Sequence, residues 1–212
     1  MMIPNRISPM GITIPGWERL LDAHTRFLIW GNLTDRAGNV SVSNFGLAND
    51  GKWIYSPDTS SYAIIPENSL PSDVICKDHD WSLDINFYVP ENWTAGLSQR
   101  VALFGGYSSD RFDVLLFLDN SFGVGSVAAG IYGTLRVPGE NLFTVNFKYG
   151  TGFSFKVNGE TAAPQIQEDL TSGRNTRTKK LGILCNVTTQ GTAQSIAHMI
   201  KINYIRISNI TR

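Results

Sequence analysis

Across residues 141–159 apolar and polar positions alternate with a period of two. Phe143, Val145, Phe147 and Tyr149 are interleaved with Thr144, Asn146 and Lys148, and after a short break Phe153, Phe155 and Val157 are interleaved with Ser154 and Lys156. Side chains two residues apart in a strand share a face, so the pattern predicts a β-hairpin with its aromatics on one buried face. The link Gly150-Thr151-Gly152 supplies the positive φ angles that a tight hairpin requires. Asn158-Gly159, just beyond, is a strong type I′ turn signal and predicts a further strand at once. The clearest strand outside the hairpin is 81–89, where Trp81, Leu83, Ile85, Phe87 and Val89 alternate with Ser82, Asp84, Asn86 and Tyr88.

The remaining strands are shorter. They are expected at 27–30, 40–43, 52–55, 62–65, 101–104, 112–118, 181–187 and 199–207, with a Gly- and Ala-rich pair inside 123–134. Turns separate them, among them Asp35-Arg-Ala-Gly-Asn39 and Ser56-Pro-Asp-Thr-Ser-Ser61. In the last strand Ile200, Ile202 and Tyr204 share one parity while Ile205 and Ile207 take the other, which predicts a bulge or burial of both faces. Residues 1–24 have a different texture. Ile3, Ile7, Ile12 and Ile14 are spaced by Pro4, Pro9 and Pro15, which cannot donate to a ladder, so an extended leader is expected. Trp17, Leu20, Leu21 and His24 follow at helical spacing and suggest one short amphipathic helix. The chain therefore divides into a leader over 1–24, which either covers one end of the fold or serves as an attachment arm, and one all-β domain over 25–212. At 212 residues, with 42% hydrophobic and 11% aromatic residues, the domain is large enough to fill a two-sheet core.

Charge and cysteine usage narrow the classes of partner. Eighteen basic residues balance eighteen acidic ones and the pI is about 6.8, so no net field draws the chain to nucleic acid or to an anionic membrane. No apolar run long enough for a transmembrane helix occurs, and the first residues lack the pattern of a secretory signal, so synthesis in the cytoplasm without standard export is expected. Two cysteines, Cys76 and Cys185, are too few for a disulfide scaffold and are expected to be reduced and unpaired.

The order of these signals carries a family resemblance. A first strand is followed by D-x-x-G-N at Asp35–Asn39, by G-K-x-x-x-S-P-D-T-S-S-Y-A-I from Gly51, and by W-S-L-D-I-N-F from Trp81. Next come F-x-V-x-F-x-Y from Phe143, F-x-F-K-V-N-G from Phe153, and the terminal L-G-I-L and I-K-I-N-Y-I-R-I-S-N segments. Over residues 26–212 this resembles the laminin-G or concanavalin A-like jelly roll. That resemblance implies two antiparallel sheets with the last strand returning beside the first. Single-domain members with a Pro-broken leader and no signal peptide resemble modules carried on bacteriophage virions. A virion location, docking onto other virion proteins through residues 1–24, is what the resemblance implies. A homo-oligomer would follow by analogy with fibre-like virion proteins.

Some members of this fold are glycosidases or polysaccharide lyases, and such an activity would require catalytic residues in this chain. A retaining glycosidase needs two carboxylates about 5 Å apart. Asp110, Asp113 and Asp119 are the nearest candidates, but Asp113 and Asp119 lie too far apart along a strand, and Gln165-Ile166-Gln167 is not a lyase motif. His79, between Asp78 and Asp80, has no second His or Cys at ligand spacing. No catalytic residue is assigned and no cofactor is required. Calcium, which the resembling family often holds, would find its oxygens at Asp110, Asp113, Asp119 and Asn120. Arg174, Arg177, Lys179 and Lys180 form a basic connector that would be either solvated or anion-facing. Glycan binding calls for aromatic faces at a loop rim beside polar groups. Trp93, Tyr107 with Arg111, and Tyr132 are the expected ligand-binding residues. The resulting expectation is a non-enzymatic virion-associated module that decorates the particle and binds surface glycans. A carbohydrate-active enzyme of the same fold and a ligand-free structural subunit are the alternatives.

Overall fold

The computed structural model describes residues 16–93, 100–107, 112–117, 121–125, 133–134, 138–162, 179–188 and 190–212. Two sheets face one another. The first contains β1 (Thr25–Trp30), β3 (Ala48–Asn49), β4 (Ile54–Tyr55), β6 (Trp81–Val89), β11 (Gly139–Lys148), β12 (Gly152–Val157), β13 (Glu160–Ala162) and β17 (Lys201–Ser208). Its order is β13-β12-β11-β6-β17, and β4 and β1 share the far edge of β17, with β3 outside β4. The second contains β2 (Ser43–Phe45), β5 (Tyr62–Ile65), β7 (Arg100–Tyr107), β8 (Phe112–Phe117), β9 (Ser121–Gly125), β10 (Gly133–Thr134), β14 (Leu181–Ile183), β15 (Asn186–Thr188) and β16 (Ala193–Gln194). It runs β10-β9-β8-β7-β14-β5-β2, with β15 pairing β7 and β16. Among the described strands every pairing is antiparallel except β15 with β7, isolated bridges aside, and the last strand lies beside the first, as a jelly-roll sandwich requires.

The hairpin forms as its pattern dictates. Phe143, Val145 and Phe147 of β11 sit opposite Val157, Phe155 and Phe153 of β12, so the aromatics meet across the pair on the inner face, Phe143 stacked on Phe155 and Phe147 tilted against Phe153. Asn158 and Gly159 both have positive φ, 53° and 88°, and turn the chain directly into β13. Trp81 links the sheets. Its ring meets Phe112 of the opposite sheet edge-on at 5.3 Å and Phe147 at 5.8 Å, while its indole N–H donates to the Cys76 carbonyl at 2.8 Å. Leu83, Ile85, Phe87, Val145 and Ile205 add to the same core, all fully buried. Cys76 and Cys185 are buried and in no disulfide, and burial pushes the Cys185 thiol up to about 12, which leaves it unreactive.

The phase slip in β17 resolves as a bulge. Its pairing with β6 shifts between Ile202 and Tyr204, and the extra residue, Asn203, is what brings Ile202, Ile205 and Ile207 onto one face. Both faces of β6 are nonetheless buried except at Tyr88. On its outer side Asp84 receives Arg206 through Nε at 2.9 Å and the Thr144 hydroxyl at 2.7 Å. Arg206 and Asp84 retain only 13% and 4% side-chain exposure, so this ion pair is desolvated, and its stability depends on both partners staying in place.

Four local expectations are corrected. Tyr149 belongs to the turn rather than to the strand, and is 64% exposed. Residues 40–42 are not a strand because the Val40 N–H is held at 3.0 Å by the Asp35 carboxylate, and pairing begins only at Ser43. The segment 181–187 is two strands, broken where Leu184 takes φ 57° and donates its N–H to Leu103. The amphipathic helix is a single 3₁₀ turn, Gly16–Arg19, with none of its residues buried. Thr25 cuts it short, its hydroxyl donating to the Leu20 carbonyl and its N–H to the Asp22 carbonyl, which redirects the chain into β1. Gly16 lies against Trp30, where a Cβ would stand 3.0 Å from the indole.

The D-x-x-G-N turn is built on one carboxylate. Asp35 accepts the N–H groups of Leu28, Ala37, Asn39 and Val40 at 2.8–3.0 Å and is itself almost fully buried. Asp35→Ala would strand the buried amides of Leu28 and Val40, with an expected loss of about 2–4 kcal/mol in urea unfolding. Asp35→Asn, which keeps an acceptor, should lose clearly less.

Candidate functional site

The outer face of the first sheet carries an open groove of about 320 Å³ lined by Lys52, Trp53, Tyr88, Glu140 and Lys201. Its floor follows from strand register. Lys201 of β17, Tyr88 of β6 and Glu140 of β11 are direct cross-strand neighbours, and Tyr55 of β4 lies beyond Lys201. Tyr88 is the odd member of the polar face of β6, an aromatic where Ser82, Asp84 and Asn86 set the pattern. It points away from the core by the same parity that buries Phe87.

The groove wall is the β3–β4 turn, Asp50-Gly51-Lys52-Trp53. The Asp50 carboxylate accepts the N–H groups of Lys52 at 3.0 Å and Trp53 at 2.8 Å, and the Asp50 N–H donates to the Trp53 carbonyl. Those backbone donors, Trp53 first and then Lys52, hold the Asp50 carboxyl below its usual range. The turn is clamped from beneath by the β17 bulge, because Asn203 donates its side-chain amide to the Lys52 carbonyl and accepts the Gly31 N–H at 2.8 Å. Gly31, at φ 63°, allows the close approach: a Cβ there would stand 2.3 Å from the Gly51 carbonyl oxygen. The phase slip in β17 thus positions the residues of the groove wall.

Within this frame the Trp53 and Tyr88 rings are 5.8 Å apart and inclined at 58°, two half-buried apolar faces meeting at an angle. Lys52 Nζ lies over the Trp53 ring at 4.7 Å, and Lys201 Nζ over the Tyr55 ring at 5.3 Å. Asn86, 8% exposed, donates its amide N–H to Glu140 Oε1 at 3.0 Å. A carboxylate can only accept, so the amide nitrogen must face Glu140, and the Asn86 oxygen is left as a buried acceptor without a partner. Alongside the groove, Tyr204 stacks on Trp30 at 5.4 Å, and burial, reinforced by Asp84, pushes its hydroxyl up to about 12. The arrangement offers flat apolar faces, ammonium donors and acceptor oxygens within one groove. Glu140 is the one carboxylate among the described residues that line it.

Of the ligand-binding residues expected from sequence, Trp93 is the one whose side chain is among the described residues. Trp93 is packed into the core at 6% exposure and presents no face at a rim. A tryptophan in a polar loop still carries a large apolar ring, and burying it was worth more than displaying it. Tyr107 closes β7 opposite Thr188, and its side chain lies outside the described residues, as do Arg111 and Tyr132. Of the calcium candidates, Asp110, Asp119 and Asn120 lie outside the description, and Asp113 is placed by its backbone alone, opposite Gly105 and Gly125. Arg174 and Arg177 also lie outside it, and His79 is exposed. Sequence did contain a signal for the groove: one aromatic, Tyr88, on the polar parity of an otherwise polar strand face. What it lacked was the pairing that brings Trp53 and Lys201 beside it.

Asn86→Leu removes the amide that holds Glu140 together with a buried acceptor that has no hydrogen-bond partner, so the two effects should nearly offset and thermal unfolding should report a change of no more than about 1 kcal/mol.

No protein-family model matches the sequence, and no curated protein matches it. Solved structures are similar in fold. Trypanosoma rangeli sialidase aligns over 99% of this chain and 34% of its own, with a TM-score of 0.62 and 9% identity. The botulinum neurotoxin serotype D binding domain aligns over 89% of this chain and 49% of its own, with a TM-score of 0.65 and 10% identity. The chain thus spans about a third of the sialidase and about half of the toxin domain. At such low identity the likeness is one of fold, and it places the chain among β-sandwich domains of the jelly-roll kind.

Proposed function

We propose that this chain is a non-enzymatic carbohydrate-binding β-sandwich module that uses the groove of Trp53, Tyr88, Glu140, Lys52 and Lys201 for adhesion to surface glycans. The observation that carries this reading is the inclined Trp53–Tyr88 pair beside hydrogen-bonding groups of both kinds. A pyranose ring has apolar C–H faces and a rim of hydroxyls, so it needs both an aromatic platform and fixed donors and acceptors. The groove offers both. The fold-level likeness to a sialidase and to a toxin binding domain is compatible with such a role and adds an associational argument for it.

The finer reading, a virion-borne adhesion module attached through residues 1–24, rests on the resemblance of the Pro-broken leader to modules carried on bacteriophage virions. It is tested by removing residues 1–15 and keeping the Gly16–Arg19 turn that lies on Trp30. A folded domain that no longer joins its assembly is expected; unchanged assembly would sink the attachment role.

The groove itself is tested on a glycan array with the full chain and with Trp53→Ala and Tyr88→Ala. Each ring loss should lower affinity by roughly tenfold or more, a stacking contribution of about 1–3 kcal/mol, with little change in unfolding temperature because both rings are half-exposed. Binding that survives both substitutions would place the glycan elsewhere. Release of new sugar ends would instead favour an enzyme.

A further inference from the structure

We infer that the groove selects an acidic saccharide, one bearing a carboxylate or sulfate, through the ammonium groups of Lys52 and Lys201. This rests on the carbohydrate-binding reading above and names the chemical class of the ligand.

The inference comes from how charge is used at the groove. Two cations line it against one carboxylate. Each carboxylate nearby already has its donors. Glu140 accepts the Asn86 amide, and Asp50 accepts the Lys52 and Trp53 backbone N–H groups. The two ammonium groups are in a different state. Neither Lys52 nor Lys201 is within ion-pair distance of a carboxylate among the described residues, and each instead lies over an aromatic ring. Asp50 is near enough to feel the charge of Lys201 but makes no ion pair with it. A cation–π contact fixes the position of an ammonium while leaving its N–H donors available, so both lysines are preordered for an anionic oxygen. A cationic ligand would meet these same two charges and be repelled, which argues against reading Trp53, Tyr88 and Tyr55 as a cage for an ammonium group.

The second observation is independent of charge. Trp53 and Tyr88 present inclined, half-buried apolar faces beside the two ammonium groups, and a free phosphate or sulfate ion has no apolar face to lay on them. The groove therefore suits an acidic group carried on a sugar ring rather than a free inorganic anion.

The experiment compares three oligosaccharides of one backbone, uncharged, uronic acid-containing and sulfated, against the full chain and against Lys52→Gln, Lys201→Gln and Lys201→Arg. The acidic forms should bind at least roughly tenfold tighter than the uncharged parent at low salt, and the advantage should shrink as salt rises. Each Gln substitution should cost the acidic forms roughly tenfold and the uncharged parent little, and Lys201→Arg should retain the preference. Which acidic form binds better identifies the anion. Equal binding of charged and uncharged forms, or a preference that survives both Gln substitutions, overturns the acidic selection while the carbohydrate reading stands if Trp53→Ala still abolishes binding. No binding of any of the three overturns both. The Arg variant guards against misfolding, since a fold defect would remove the binding of uncharged and acidic forms alike.

Discussion

Strand β6 is enclosed on every side, and the rest of the molecule is arranged to satisfy it. Both its edges are paired, with β11 and with β17, and both its faces are buried except at Tyr88. On the inner face that demand is met by apolar volume: Trp81, Leu83, Ile85, Phe87 and Val89 fill the space between the sheets. On the outer face it is met by chemistry, because Asp84 cannot be buried as a charge without partners. Arg206 from one neighbouring strand and Thr144 from the other supply them. The central strand thus requires particular residues at particular registers on both flanks.

Register is the currency of that requirement, and the β17 bulge sets it. An unbroken β17 could not place both Ile202 and Ile207 inward. The extra residue at Asn203 resolves the conflict and leaves an amide side chain free to reach outward to the Lys52 carbonyl. One irregularity therefore serves the core and the surface together. It keeps the isoleucines in the core, and it anchors the turn that carries Lys52 and Trp53 above Tyr88. A bulge beside a functional surface is a recurrent device for aiming side chains out of a sheet.

The groove shows how a β-sandwich can carry a candidate site without altering its core. Its floor is three cross-strand neighbours on the solvent face, and its wall is a four-residue turn held by the Asp50 carboxylate. None of these residues is needed to fill the space between the sheets. The groove is accordingly free to combine rings, ammonium groups and acceptors in a way that folding does not demand. The acidic sugar ring proposed as ligand would use all of them.

Sequence alone determined the features that depend on short-range pattern. Alternation fixes which face a residue occupies, so the β11–β12 hairpin, the Asn158-Gly159 turn, the inner row of β6 and the slip in β17 could all be read from residue order. The Asp35 turn was also visible, since its carboxylate caps amides of its own loop and the end of the adjoining strand. Tertiary structure decided everything that depends on which strands lie side by side. Tyr88 stood out as an aromatic on a polar face, but Trp53 is 35 positions before it and Lys201 more than a hundred after, and only sheet order joins them. Trp93 was misjudged for the complementary reason. Its polar neighbours in the chain suggested an exposed loop, whereas burial is settled by the surroundings in space, and the core had room for its ring.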